Sequence, residues 1–193
     1  MLSTTLPFPQ VTQQHLALNS YPAILSDLPY DPGFAIRGLH YDVRCGTLLK
    51  LDAYALIQDG TVFRGRTSLN VDQVRHLYGG NYVPFHYLPT PDDKDSAKMV
   101  QSLDLFSLPE VGLLANIIQY FDDSNIDFDP ESLFRDVRTV VQSVHLSGVM
   151  YDAVSNNLPK YIHYMHGLKE FFERLIAHKK IVFLISNSPF RSM

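Results

Sequence analysis

The chain has one cysteine, Cys45, so it cannot close an intrachain disulfide, and a reducing, intracellular compartment is the expected setting. It has no tryptophan, and charged residues make up only 19% of its 193 residues, with a formal net charge of −4. Without a basic excess there is no counterion-releasing surface for a general polyanion, so nucleic acid is not expected as a partner. A small phosphorylated ligand is not excluded, because one or two cations can hold it. No apolar run reaches the roughly 18 residues that a membrane span requires, so no membrane partner is expected. The opening "MLSTTLPFPQVTQQHLALN" lacks both a basic n-region and a sustained apolar h-region. A cytoplasmic location follows, with a mitochondrial one as the weaker alternative, since the segment also lacks acidic residues.

What is present is a substantial apolar fraction, 46%, unevenly patterned. Pro7, Pro9, Pro22, Pro29 and Pro32 interrupt residues 1–34, which read as a connecting segment. From Ala35, short apolar runs are separated by Cys45-Gly46 and Asp59-Gly60. Asp-Gly between apolar runs is a strong hairpin signal. A three-stranded antiparallel meander is expected over about 35–64.

Helical patterns follow. Asn70 and Gly79 bracket one as N-cap and terminator. Ser107 and Glu110 stand at capping-box spacing before Val111, Leu114, Ile117, Ile118 and Phe121. Asp129-Pro130 opens another helix, with Leu133, Phe134, Val137, Val140, Val141 and Val144 on one stripe. A further helix is expected from about Asn157 to Tyr164. Leu168, Phe171, Phe172, Leu175 and Ile176 then fill the amphipathic template completely. That helix leads into Ile181–Ile185, a run without alternation, expected as a strand buried on both faces in a parallel sheet. The run ends in Ser186-Asn187-Ser188. Small polar residues at a strand's carboxyl end suit ligand binding, although on spacing alone a turn or a helix cap is the plainer reading.

The ordered segments "YDPGFAIRGLHYDV", "LLKLDAY", "FRG", "LFSLPEVGLLA", "FRDVRTVVQSVH" and "FLISNSP" resemble the cytosolic purine 5′-nucleotidase and 5′-nucleotidase domain-containing proteins of the haloacid dehalogenase superfamily. The resemblance runs from about Tyr21 to Phe190. It implies an α/β fold, with residues 35–165 an α+β cap insertion and 166–193 returning into a partial Rossmannoid core. It implies hydrolysis of a purine nucleoside monophosphate through an aspartyl-phosphate, with Mg²⁺ as cofactor.

Carried over residue by residue, the resemblance makes Ser186 the hydrogen-bond donor to the phosphoryl group and places Asn187 and Ser188 beside the substrate. Arg138 and His145 then line the nucleotide pocket. Phe106 stacks on the base, and Ser107 falls where the purine enzyme has an asparagine. Gln142 stands where that enzyme has an acidic residue, and Tyr151 where it has a lysine. Arg138 read alone is a solvated helix charge, and Ser107 a helix cap.

The nucleophile motif, Asp-x-Asp-x-Thr after an apolar run, does not occur in the chain. The resemblance therefore implies the stretch between the first and second motifs, inactive alone and carrying none of the expected Mg²⁺ carboxylates. A noncatalytic nucleotide-binding protein, or one assembling with full-length subunits as a homo-oligomer, is the alternative.

Overall fold

A computed structural model describes residues 12, 21–89, 98–105, 107–183 and 185. The chain divides into two compact units, one spanning Phe8–Leu146 and the other containing Ser147–Met193. The class is mixed α/β, built on an antiparallel sheet.

In the first unit the sheet has five strands: β1 (Leu39–Asp42), β2 (Thr47–Lys50), β3 (Phe63–Arg64), β4 (Thr67–Ser68) and β5 (Met99–Ser102), in the order β4-β3-β2-β1-β5. All pairs are antiparallel. The expected meander is therefore present as β1-β2-β3. The Asp59-Gly60 signal produces a turn closed by Thr61 N–H donating to Gln58 O, with Gly60 at φ +72°. The two-residue hairpin lies instead at Gly65-Arg66, between the paired Arg64 and Thr67.

The period-2 alternation of β1 gives the sheet two faces. Tyr41 packs its ring on Phe134 with centroids 5.3 Å apart and donates its hydroxyl to Pro130 O at 3.2 Å. On the opposite face Leu49 and Met99 join Ile57, Val62, Val74 and Val83 in a second core. Helix α1 (Val71–Tyr78) covers that core. Its start is a full capping box: Asn70 Oδ1 accepts from Gln73 N–H, and Gln73 Oε1 accepts from Asn70 N–H, both at 2.9 Å. Its end is Gly79, left-handed at φ +71°.

Helices α2 (Ser107–Asp123) and α3 (Pro130–Ser147) lie on the Tyr41 face. Helix α3 buries Leu133, Phe134, Val137, Val140 and Val144, the expected stripe apart from the half-buried Val141. Helix α2 buries more than one face, adding Leu113 and Ala115 to the expected positions. The cause is the proline-rich segment. Tyr30 packs at Gly112, Asn116 donates its side-chain amide to Pro29 O, and Leu25 is wholly buried. Ser107 is not the capping acceptor the spacing suggested. Its backbone N–H and its hydroxyl both donate to Asp104 Oδ1, at 2.8 and 3.0 Å, so Asp104 caps the helix.

The second unit contains helices α4 (Val149–Ser155), α5 (Leu158–Tyr161) and α6 (Leu168–Ala177). The helix expected over 157–164 is the single turn of α5, and α4 was not anticipated. Helix α6 forms where the amphipathic pattern placed it, yet its apolar face is largely uncovered: Leu168, Phe171, Phe172 and Ile176 are exposed. The strand expected at 181–185 is absent among the described residues, where 181–183 and 185 pair with no neighbour and Ile181 is 90% exposed. A central parallel strand exists only when flanking strands satisfy its backbone and helices cover both faces. The described residues supply neither to this run.

Candidate nucleotide site

The candidate site begins on α3. Val137 must point into the core for the stripe to work, and the 3.6-residue period then turns Arg138 onto the exposed flank. Its guanidinium carbon lies 5.7 Å from the ring centre of Phe134, one turn earlier. The charge of Arg138 reaches Glu110, in the first turn of α2. Burial raises the Glu110 carboxyl above the usual carboxylate range, Arg138 opposes that rise, and Asp104 adds to it. Asp104 in turn holds Ser107. The start of α2 thus carries Asp104, Ser107 and Glu110, and the charge of Arg138 on α3 is felt at Glu110.

This arrangement offers a planar fork of donors and a half-buried carboxyl whose neutral form is favoured. Such a pair can meet a ligand edge that presents both acceptors and donors. Sequence reasoning found Arg138 and Ser107 but not Glu110, whose spacing to Ser107 suggested a cap and nothing more. Gln142 and His145 follow Arg138 along α3, and both are exposed. Tyr151 lies in α4. Phe106, Ser186, Asn187 and Ser188 lie outside the described residues.

Most of the ordered segments serve the scaffold. Asp31 accepts Gly33 N–H and the Arg66 guanidinium, which hold its carboxyl below the usual range. Phe34 meets Phe63 edge-on at 5.5 Å and carries the Arg66 guanidinium over its face at 4.0 Å. Arg64 makes a bidentate pair with Asp122, both contacts 2.8 Å, and donates to Cys45 O. Asp42, fully buried, is gripped by Arg44 through its side chain and its backbone N–H. Asp52 Oδ1 accepts from Tyr54 and Leu56 N–H. Tyr21 ties the N-terminal segment to α3 by donating to Asp136 at 2.8 Å. Burial, that bond and the Asp136 charge together push its phenol up.

The cysteine is also structural in character. Cys45 Sγ lies 3.2 Å from Thr47 Oγ1, and burial pushes its thiol up, which disfavours the reactive thiolate.

The family model described as the 5′ nucleotidase family matches residues 4–193. The chain belongs to that family. Among curated relatives, it is 40% identical over 173 residues to 5′-nucleotidase domain-containing protein 2 of Rattus norvegicus, and 39% identical over 173 residues to the Homo sapiens protein of that name. A 5′-nucleotidase domain-containing protein of Dictyostelium discoideum is 39% identical over 170 residues. Each match covers 88% of this chain but only 31%, 33% and 28% of the relative. The chain therefore spans about a third of the length of the relatives it matches.

Among the described residues, no three His, Cys, Asp or Glu side chains gather where they could hold a metal ion. Also among the described residues, no helix is long and apolar enough to cross a membrane.

Proposed function

We propose that this chain contributes the nucleotide-recognising part of a 5′-nucleotidase-like phosphohydrolase, acting on a purine nucleoside monophosphate. The observation that carries the reading is the family match along residues 4–193. In this reading Arg138 and Glu110 contact the base edge, Phe106 stacks on the ring, and Ser107 and His145 border the pocket. Ser186 donates to the phosphoryl oxygens, with Asn187 and Ser188 beside it. Residues 35–165 correspond to the cap insertion, and 166–193 to the core.

Arg138 supplies affinity in a way lysine would not, because its fork bonds two acceptors in one plane. The Glu110 carboxyl adds a donor when neutral. Hydrolysis itself needs an attacking carboxylate and a positive clamp on the phosphoryl group. In the family's chemistry Mg²⁺ would supply that clamp, and the described residues bring no three His, Cys, Asp or Glu side chains together to hold it. The 193 residues contain no Asp-x-Asp-x-Thr. Alone, this chain is proposed to bind without turnover.

Titration of the purified chain with IMP and GMP tests the reading. Saturable binding is expected, weakened at least about ten-fold in Arg138→Ala, as suits a lost charged hydrogen bond. Binding that ignores Arg138 would overturn the site. Phosphate release by the chain alone, abolished in Arg138→Ala, would overturn the assignment of inactivity.

A second reading, assembly with full-length subunits, is favoured by the exposed apolar face of α6. Sedimentation of the chain alone and mixed with a full-length relative separates the two readings.

A further inference from the structure

His40 occupies the central strand, opposite Leu49 of β2 and Gln101 of β5. It is only 6% exposed, and its Nδ1 has no hydrogen-bond partner among the described residues. Nearly all buried polar atoms find a partner, so an orphan at the middle of a sheet calls for an explanation.

We propose that His40 is an acid-operated latch: adding one proton to its ring loosens the sheet on which α3 and Arg138 rest. A neutral ring leaves Nδ1 as an unused acceptor, which is tolerable. A protonated ring adds a buried charge and a second N–H to satisfy, for which the Gly38 backbone is the one acceptor on hand among the described residues, and the balance is costly.

The surroundings offer little compensation. On its own strand Asp42 shares the face but is already bound by Arg44. Thr47 and Leu49 of β2, and Met99 and Gln101 of β5, share that face in register. Tyr78 and Tyr87 belong to its cover. Lys50 lies opposite Leu39 on the other face, Lys98 precedes β5, and Arg37 is tied to Leu103 O. Apart from Asp42, none of these groups is a carboxylate. Consistently, burial holds the imidazole below its ordinary value, and only a hydrogen bond with the Gly38 backbone opposes it.

The sign follows from linkage. The folded pKa is depressed, so the unfolded chain takes up the proton first as pH falls. Stability is complete above about 6.5, the ordinary histidine value, and declines below it.

The test uses the full chain and site-resolved amide exchange at Val43, whose N–H donates to Lys98 O beside the latch. Corrected for intrinsic exchange, protection should fall by up to about ten-fold per pH unit below 6.5. In His40→Gln, which keeps an N–H donor but cannot take up the charge, that dependence should flatten. An unchanged slope in the variant overturns the proposal. Should the variant not fold, the His40 ring signal in the wild-type protein decides alone. A ring that stays neutral in the folded protein well below pH 6.5 supports the latch, and one that titrates at or above 6.5 overturns it.

Discussion

Replacing Gly65 by alanine probes a glycine set directly against helix backbone. Gly65 sits at φ +59° in the Gly65-Arg66 hairpin, and an added Cβ would lie 2.8 Å from both Cα and N of Gln119 in α2. Two costs arise. An L-residue in the left-handed region costs roughly 1–2 kcal/mol. Forcing a methyl against helix backbone costs about 1–3 kcal/mol more, as overpacking does elsewhere. The hairpin cannot simply retreat, because Gln119 Oε1 accepts from Arg66 N–H at 2.8 Å and from the Thr67 hydroxyl at 3.0 Å. Gly60 is the internal control: its φ is +72°, and nothing lies within 4 Å of an added Cβ. Gly60→Ala carries the conformational cost alone, and the gain from stiffening the unfolded chain is common to both variants. Urea titrations followed by circular dichroism should therefore rank Gly65→Ala below Gly60→Ala by about 1–3 kcal/mol. Equal losses, within about 0.5 kcal/mol, would refute the claim that the hairpin is clamped onto the helix.

Other expectations are more local. Arg44→Met leaves the fully buried Asp42 carboxylate without its guanidinium and should cost about 2–3 kcal/mol, somewhat less than a fully buried pair because Arg44 is partly exposed. Asn70→Ala removes the capping box of α1 and should lower the urea midpoint by the equivalent of about 1 kcal/mol. Asp129 accepts Ser132 N–H at the start of α3, and its hydrogen bonds with Ser132 hold its carboxyl below the usual range. Its stabilising share is therefore present above the ordinary carboxylate value and lost as pH falls through the lowered one. Asp129→Asn keeps an acceptor but does not titrate, so its urea midpoint should fall less than the wild type's between pH 5 and pH 2.

Features decided by neighbouring residues were legible. The caps at Asn70 and Asp129, the terminator Gly79 and the stripe of α3 each depend on a few adjacent side chains, and each stands where the pattern placed it. Features decided by distant partners were not. Strand β5 is only four residues, Met99–Ser102, and its pairing partner lies some sixty positions earlier. The second buried face of α2 depends on Tyr30 and Pro29, which composition had marked only as a connector. The hairpin was placed at Asp59-Gly60 on propensity, whereas Gly65-Arg66 prevailed because the chain there must touch Gln119, which only glycine permits.

The candidate site follows the same division. Arg138 could be singled out, because a cation beside an apolar stripe is visible in one dimension. What separates it from an ordinary solvated arginine is Glu110, twenty-eight positions away, whose carboxyl burial pushes up and Arg138 pulls back. A lone exposed guanidinium loses little by remaining in water. One set near a half-buried carboxyl offsets part of the cost of ionising it, so the protonation of Glu110 and the charge of Arg138 are linked. Swapping the carboxyl for an amide separates the two cases. Glu110→Gln removes the titratable partner while keeping its shape, so it should alter the pH dependence of IMP and GMP binding if the pair acts together. It should leave that dependence untouched if Arg138 acts alone.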